Sequence, residues 1–220
     1  MDFEFWDNCW NRESQPFHLA EAHTFLVKYV QELFSTEHKV FVPLSGKSLD
    51  LLFLAEKGFY PVGVEFNPKA VHKFIDENKL QFESKELVAE SGNQLICYQN
   101  DSMAVWLADF FDITSEHVGK FKQVYDRAAF IALPESMRKD YARHLKSLLD
   151  ENATILLVTM DYVPDEMSGP PFHITLDEIK QQFPEGQVEE LCRCSLLDTH
   201  PRWKELELSR LDEVLYKITF

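Results

Sequence analysis

The run from Lys39 to Phe66 constrains the fold more than any other stretch. Lys39 to Pro43 (KVFVP) is a short unbroken series of large apolar residues, which suits a parallel strand covered on both faces. Leu44 to Lys47 follows as a tight turn around Gly46, and Ser48 stands where it can cap a helix that reaches Lys57 and stops at Gly58. Tyr60 to Phe66 (YPVGVEF) reads as a second strand ending in Glu65, and Pro68 suits the first turn of the next helix. Strand, turn, helix, strand and helix form a βαβ unit, and this commits the chain to an α/β sheet.

The alternation continues downstream. Leu95 to Gln99 and Met103 to Ala108 flank the turn-prone Asn100-Asp101-Ser102, which predicts a β-hairpin insertion. Phe121 to Tyr125 reads as a strand, Pro134 to Leu149 as a helix and Ala153 to Met160 as the most apolar strand. Thr175 can cap a helix to Phe183, and strands follow near Val188 to Leu196 and Val214 to Phe220. Upstream, His18 to Phe34 has apolar positions at helical spacing, and residues 1 to 17 form an aromatic arm without a clean period. The order implies one domain over 1–220 with an open, doubly wound, mainly parallel sheet, whose ligand lies outside the carboxyl ends of the strands.

Composition narrows the partners. The formal net charge of -15 repels phosphate backbones and anionic headgroups, so neither nucleic acid nor a membrane surface is expected. The N-terminus lacks the basic start and aliphatic run of a secretory signal, and the longest apolar stretches fall far short of the roughly 20 residues of a membrane span. A cytoplasmic protein is expected. Its four cysteines lack Cys-x-x-Cys spacing, and no metal pair is formed by His18 and His23, which lie on different faces of a helix.

The turn after the first strand holds one glycine where a dinucleotide fingerprint has three, and no phosphate loop appears. A ligand without a diphosphate still fits, because the missing Cβ at Gly46 lets a nucleoside lie against the backbone. Glu65, about 20 residues further on, is placed to accept hydrogen bonds from both ribose hydroxyls. Trp6, Trp10 and Phe17 in the arm suit a sulfonium, which gains roughly 0.5–2 kcal/mol over an aromatic face, or else the rings simply close the core.

Several motifs then appear in order: FW-x-x-x-W at 5 to 10, FH at 17 and 18, FVPLSGKSLDLLFLA at 41 to 55, GVEF at 63 to 66, GKF at 119 to 121, YDRAA at 125 to 129 and GPPF at 169 to 172. Together they resemble the thiopurine S-methyltransferase family, particularly its bacterial members. The resemblance implies a Rossmann-like methyltransferase fold with seven strands and an antiparallel last strand, a monomer, and S-adenosyl-L-methionine as methyl donor with S-adenosyl-L-homocysteine as product. By position it implies cofactor contacts at Trp6, Trp10, Phe17, Leu44, Gly46, Glu65, Asp109, Phe110 and Arg127. Two departures stand out: Ser45 where the family often has cysteine, and Ala128 where it often has glycine, a change that matters only if that backbone needs positive φ.

The implied reaction moves a methyl group to the sulfur of an aromatic or heterocyclic thiol. An in-line displacement with an activated leaving group chiefly requires alignment. Arg127 is the candidate to hold a thiolate, and Phe17, Pro171 and Phe172 are candidates to touch the acceptor. Asp126 is a possible general base, although an aspartate beside an arginine is more often an ion pair with a lowered pKa. His18 is a second titratable candidate, offset by its place at an expected helix start. Alternatives are a methyltransferase for metalloid or small inorganic anions, and a non-catalytic S-adenosylmethionine-binding module.

Overall fold

A computed structural model of the chain describes residues 3–12, 15, 17–199 and 201–220, and the expected aromatic arm therefore lies outside the described residues at positions 1, 2, 13, 14 and 16. The chain forms two compact units, 1–123 and 124–220.

The first unit contains the βαβ core. Strand β1 (Lys39–Val42) pairs parallel with β2 (Tyr60–Glu65), and β2 pairs parallel with β5 (Ala104–Leu107). Helix α3 (Asp50–Glu56) connects β1 to β2, and helix α4 (Pro68–Glu77) follows β2. The burial of Val40, Phe41, Val62 and Val64 explains why these short runs carry no polar alternation. Strand β4 (Gln94–Gln99) runs antiparallel to β5, which is the expected hairpin, and β3 (Glu83–Val88) runs antiparallel to β4. This gives the order β3-β4-β5-β2-β1. Strand β3 gives no sign of itself in the sequence because ESKELV is exposed along almost its whole length and shows no apolar alternation.

Nine strands are described where seven were expected. The arm also differs from expectation: Phe3–Trp10 is a helix, α1, and the next helix, α2, spans Thr24–Leu33 rather than starting at His18. Its N-cap is His23, whose Nδ1 accepts from the Phe25 N–H at 3.2 Å, so capping falls to His23 and not to His18. Helix α5 (Ser115–Val118) precedes β6 (Phe121–Asp126), the strand in which the division between the units falls.

The second unit is built on antiparallel strands in the order β7-β9-β8, with β7 at Leu149–Tyr162, β8 at Gln187–Ser195 and β9 at Leu211–Thr219. The reversed last strand was expected. Helix α6 (Glu135–Ser147), helix α7 (Leu176–Gln182) with Thr175 as its N-cap, and the short α8 (Pro201–Glu205) complete it. No described helix is long and apolar enough to cross a membrane.

Candidate functional site

The turn after β1 is shaped by two residues in the left-handed region, Leu44 at φ 45° and Gly46 at φ 54°. A leucine there costs about 1–2 kcal/mol, so the surrounding structure has to hold it. The Ser45 N–H donates to the Val64 carbonyl at 2.9 Å, which ties the turn to β2. A Cβ on Gly46 would stand 3.1 Å from Cζ2 of Trp10, so the space left by the missing side chain is met by an indole rather than by a ligand.

Glu65 closes the other side of the turn. It is 4% exposed, its Oε2 accepts from the Gly46 N–H at 2.9 Å, and its Oε1 accepts from the Asn67 N–H at 2.8 Å. Burial pushes its pKa up to about 7, more than these backbone donors lower it. A carboxylate offers about four acceptor sites, and with the Gly46, Asn67 and Phe66 N–H groups on it there is room for one further donor. Ser45 Oγ is buried against Gly63 of β2 and finds no hydrogen-bond partner among the described residues. The carboxylate's remaining acceptor site beside the glycine turn fits a hydroxyl of a nucleoside cofactor.

The arm packs over this region through edge-to-face ring contacts. Phe17 lies 5.6 Å from Trp6 and 5.2 Å from Trp10 between ring centroids. Helix α4 pins the arm: Lys69 Nζ sits 2.8 Å and 2.6 Å from the two Asp7 carboxylate oxygens, Asn67 Nδ2 donates to Asp7 at 3.2 Å, and Lys73 Nζ donates to the Trp10 carbonyl at 2.7 Å. A cation on the last carbonyl of α1 complements the negative end of that helix. Asp7, Asn67, Lys69 and Lys73 escaped the sequence reading because they are ordinary polar residues far apart in the chain. Only the Asn67-Pro68 pair, a cap followed by a first-turn proline, was a legible sign.

Asp109 and Phe110 stand just beyond β5. Asp109 is exposed and accepts from the Phe111 N–H at 2.9 Å as the cap of a short turn of helix over Phe110–Asp112. Phe110 is buried and stacks on Phe41 with centroids 6.3 Å apart, so its ring belongs largely to the core beneath β1.

The remaining expected residues lie in the second unit. Asp126 is 1% exposed; its Oδ1 accepts from the Ala129 and Phe130 N–H groups at 3.1 Å, and its Oδ2 from the Tyr141 hydroxyl at 2.6 Å. Burial raises its pKa to about 6, against the lowering expected of an ion pair with Arg127. These three donors make it the anchor of the turn that carries Arg127, which is half-buried. Ala128 is not among the described residues with positive φ, so replacing glycine there imposes no strain.

Pro171 and Phe172 sit in a tightly held loop with cis peptides before Pro170 and Pro171. The Tyr162 hydroxyl donates to the Pro171 carbonyl at 2.9 Å, and the Phe172 N–H donates to the Ile131 carbonyl at 2.7 Å. The Arg138 guanidinium lies 5.9 Å from the Phe172 ring centroid while its Nη1 donates to both Glu178 oxygens at 2.7 Å. The Phe172 ring borders an open cavity of about 500 Å³ shared with Tyr162, Met167 and His173. Among the described residues there is no group of three metal-ligating side chains.

Known proteins resemble this chain over its whole length. The family model described as thiopurine S-methyltransferase matches residues 1–220. A thiopurine S-methyltransferase of Pseudomonas fluorescens is 38% identical, with 100% of this chain and 97% of that one covered. Its counterpart in Shewanella pealeana is 36% identical over 99% and 98%. Among solved structures, an S-adenosylmethionine-dependent methyltransferase of Anabaena variabilis superposes with a TM-score of 0.62 at 14% identity, over 89% of this chain and 82% of that one. TehB of Haemophilus influenzae gives 0.60 at 14% identity, over 91% and 62%. At such identities these two establish the fold alone.

Proposed function

The chain belongs to the thiopurine S-methyltransferase family, and from that premise we propose that it transfers a methyl group from S-adenosyl-L-methionine to the sulfur of an aromatic or heterocyclic thiol. The observation that carries the reading is Glu65, a buried carboxylate at the end of β2 bonded to the glycine turn, beside a cluster of arm rings.

When bound, the cofactor supplies an activated methyl on a sulfonium. Glu65 would accept from the ribose, Leu44 and Gly46 would give the backbone of the turn, and Trp6, Trp10 and Phe17 would lie toward the positive sulfur and exclude water. Asp109 lies toward the base, with Phe110 beneath it as part of the floor. Arg127 would hold the acceptor anion and contribute to binding the cofactor. Phe17, and in the second unit Pro171 and Phe172, would each offer the acceptor an apolar contact. Asp126 has three donors of its own, so its part is to position Arg127, and a thiolate already ionised near neutral pH needs no stronger base. A monomer in the cytoplasm, with a small molecule as its partner, is consistent with this reading.

The test is turnover of S-adenosyl-L-methionine against a panel of heteroaromatic thiols, aliphatic thiols and selenium or tellurium oxyanions. Methylated product is expected with flat thiols at the highest kcat/KM. Turnover confined to the inorganic anions would reject the thiol assignment, and binding without turnover of any acceptor would reject catalysis.

A further inference from the structure

Cys192 and Cys194 lie two apart on β8, so both side chains leave the same face of the strand. Their Sγ atoms stand 3.9 Å apart. Cys194 is exposed and Cys192 half-buried. Arg193 between them points to the other face, where Nη1 donates to Asp161 at 2.6 Å and to Asp212 at 3.3 Å, and Nε and Nη2 each donate to Glu190 at 3.0 Å. Three acidic side chains thus fix the residue that separates the thiols. On β9, Cys192 faces Leu215 and Cys194 faces Glu213, with an irregularity in register between Glu190 and Cys192.

Two fates are open to such a pair, and geometry separates them. A disulfide needs sulfurs about 2.05 Å apart and Cα atoms most often about 5.5–6 Å apart, whereas the two sulfurs stand 3.9 Å apart and residues two apart on a strand are separated by roughly 6.6–6.8 Å, at the upper limit. Closing it would draw in a strand whose middle residue is pinned. A tetrahedral thiophilic cation bonded to two thiolates at about 2.3 Å spans about 3.8 Å between sulfurs, close to the separation present. We propose that Cys192 and Cys194 form a two-thiolate site for a thiophilic d10 cation of the zinc and cadmium type, whose remaining positions are taken by water or a small thiol. Binding breaks two S–H bonds, forms two metal–sulfur bonds and releases two protons, with no change of oxidation state. The chain's charge of -15 favours the approach of a cation.

Titration of the full, reduced chain with cadmium tests the site through thiolate-to-metal charge-transfer absorbance and proton release. One equivalent is expected to bind, releasing two protons. Cys192→Ser and Cys194→Ser should each weaken binding at least about a hundredfold, the advantage of making the second contact intramolecular. Cys9→Ser and Cys97→Ser, at buried positions, should leave it unchanged. Alkylating Cys192 and Cys194 in the unmutated chain should abolish the band. A tight band that survives either β8 variant, or no band while a thiol reagent modifies both residues, overturns the proposal and leaves the methyl-transfer reading untouched.

Discussion

The turn at Gly46 and the loop at Gly169 use the same device and hold it in different ways. Both glycines have positive φ, and in both a Cβ would meet an aromatic ring, Trp10 at 3.1 Å in one and Phe172 at 2.6 Å in the other. At Gly46 the ring arrives from α1 and the turn is bonded to a buried carboxylate. At Gly169 the ring belongs to the loop itself and is fixed by neutral hydrogen bonds and by a guanidinium over its face. The first region is organised around a charge, the second around a shape. Under the proposed function, cofactor binding at the Gly46 turn should respond to pH and charge, and acceptor binding at the Gly169 loop to the size and flatness of the ligand.

Arg127→Gln gives the largest expected effect on that contrast. If Arg127 stabilises the acceptor anion, kcat/KM for a heteroaromatic thiol should fall about 10²- to 10³-fold, read from steady-state kinetics. A change below threefold would remove it from the acceptor side. Asp126→Asn comes next. Two donors converge on one carboxylate oxygen and a third on the other, and an amide has only one acceptor oxygen, so a buried donor is stranded at a cost of about 1–3 kcal/mol. Denaturant unfolding should show that loss, and an unchanged midpoint would contradict the anchoring role.

Phe172→Ala tests shape alone: KM for a flat thiol should rise about tenfold, on the scale of one aromatic contact, while the affinity for S-adenosyl-L-homocysteine stays put. Equal losses on both ligands would erase the distinction between the regions. Asp7→Asn should be the mildest. The Asp7–Lys69 pair is partly exposed, at 24% and 41% of the side chains, where such pairs contribute about 0.2–1 kcal/mol. Cofactor dissociation in stopped flow should quicken by no more than about fivefold.

Much of this was legible in the sequence, and for one reason. Short apolar runs such as KVFV and the turn residues around Gly46 obey local rules, so β1, β2, α3 and α4 could be read directly, as could Thr175 and the reversed β9. Strand β3 hid because it is solvated on both faces and exists only by pairing with β4. The left-handed Leu44 hid because a leucine gives no sign of strain; only its tie between Ser45 and Val64 imposes it. Glu65 and Gly46 were visible from spacing, yet the role of Trp10 against that glycine depends on a long-range contact. Asp126 was read from its neighbour Arg127, and burial reversed the direction of its pKa.

The central claim is that an ionised Glu65 grips the cofactor. Its folded pKa, raised to about 7, exceeds that of the unfolded chain. The stability this group contributes is therefore complete below the unfolded value and is lost as pH rises through about 7. A ligand that needs the anion works in the opposite sense. Calorimetric titration with S-adenosyl-L-homocysteine at pH 6 and pH 8, on the unmutated chain and on Glu65→Ala, tests this directly. Affinity should rise about tenfold across that interval in the unmutated chain, and Glu65→Ala should bind at least about a hundredfold more weakly at pH 8, with the pH dependence gone. Equal affinity of the two proteins at pH 8 would contradict the claim.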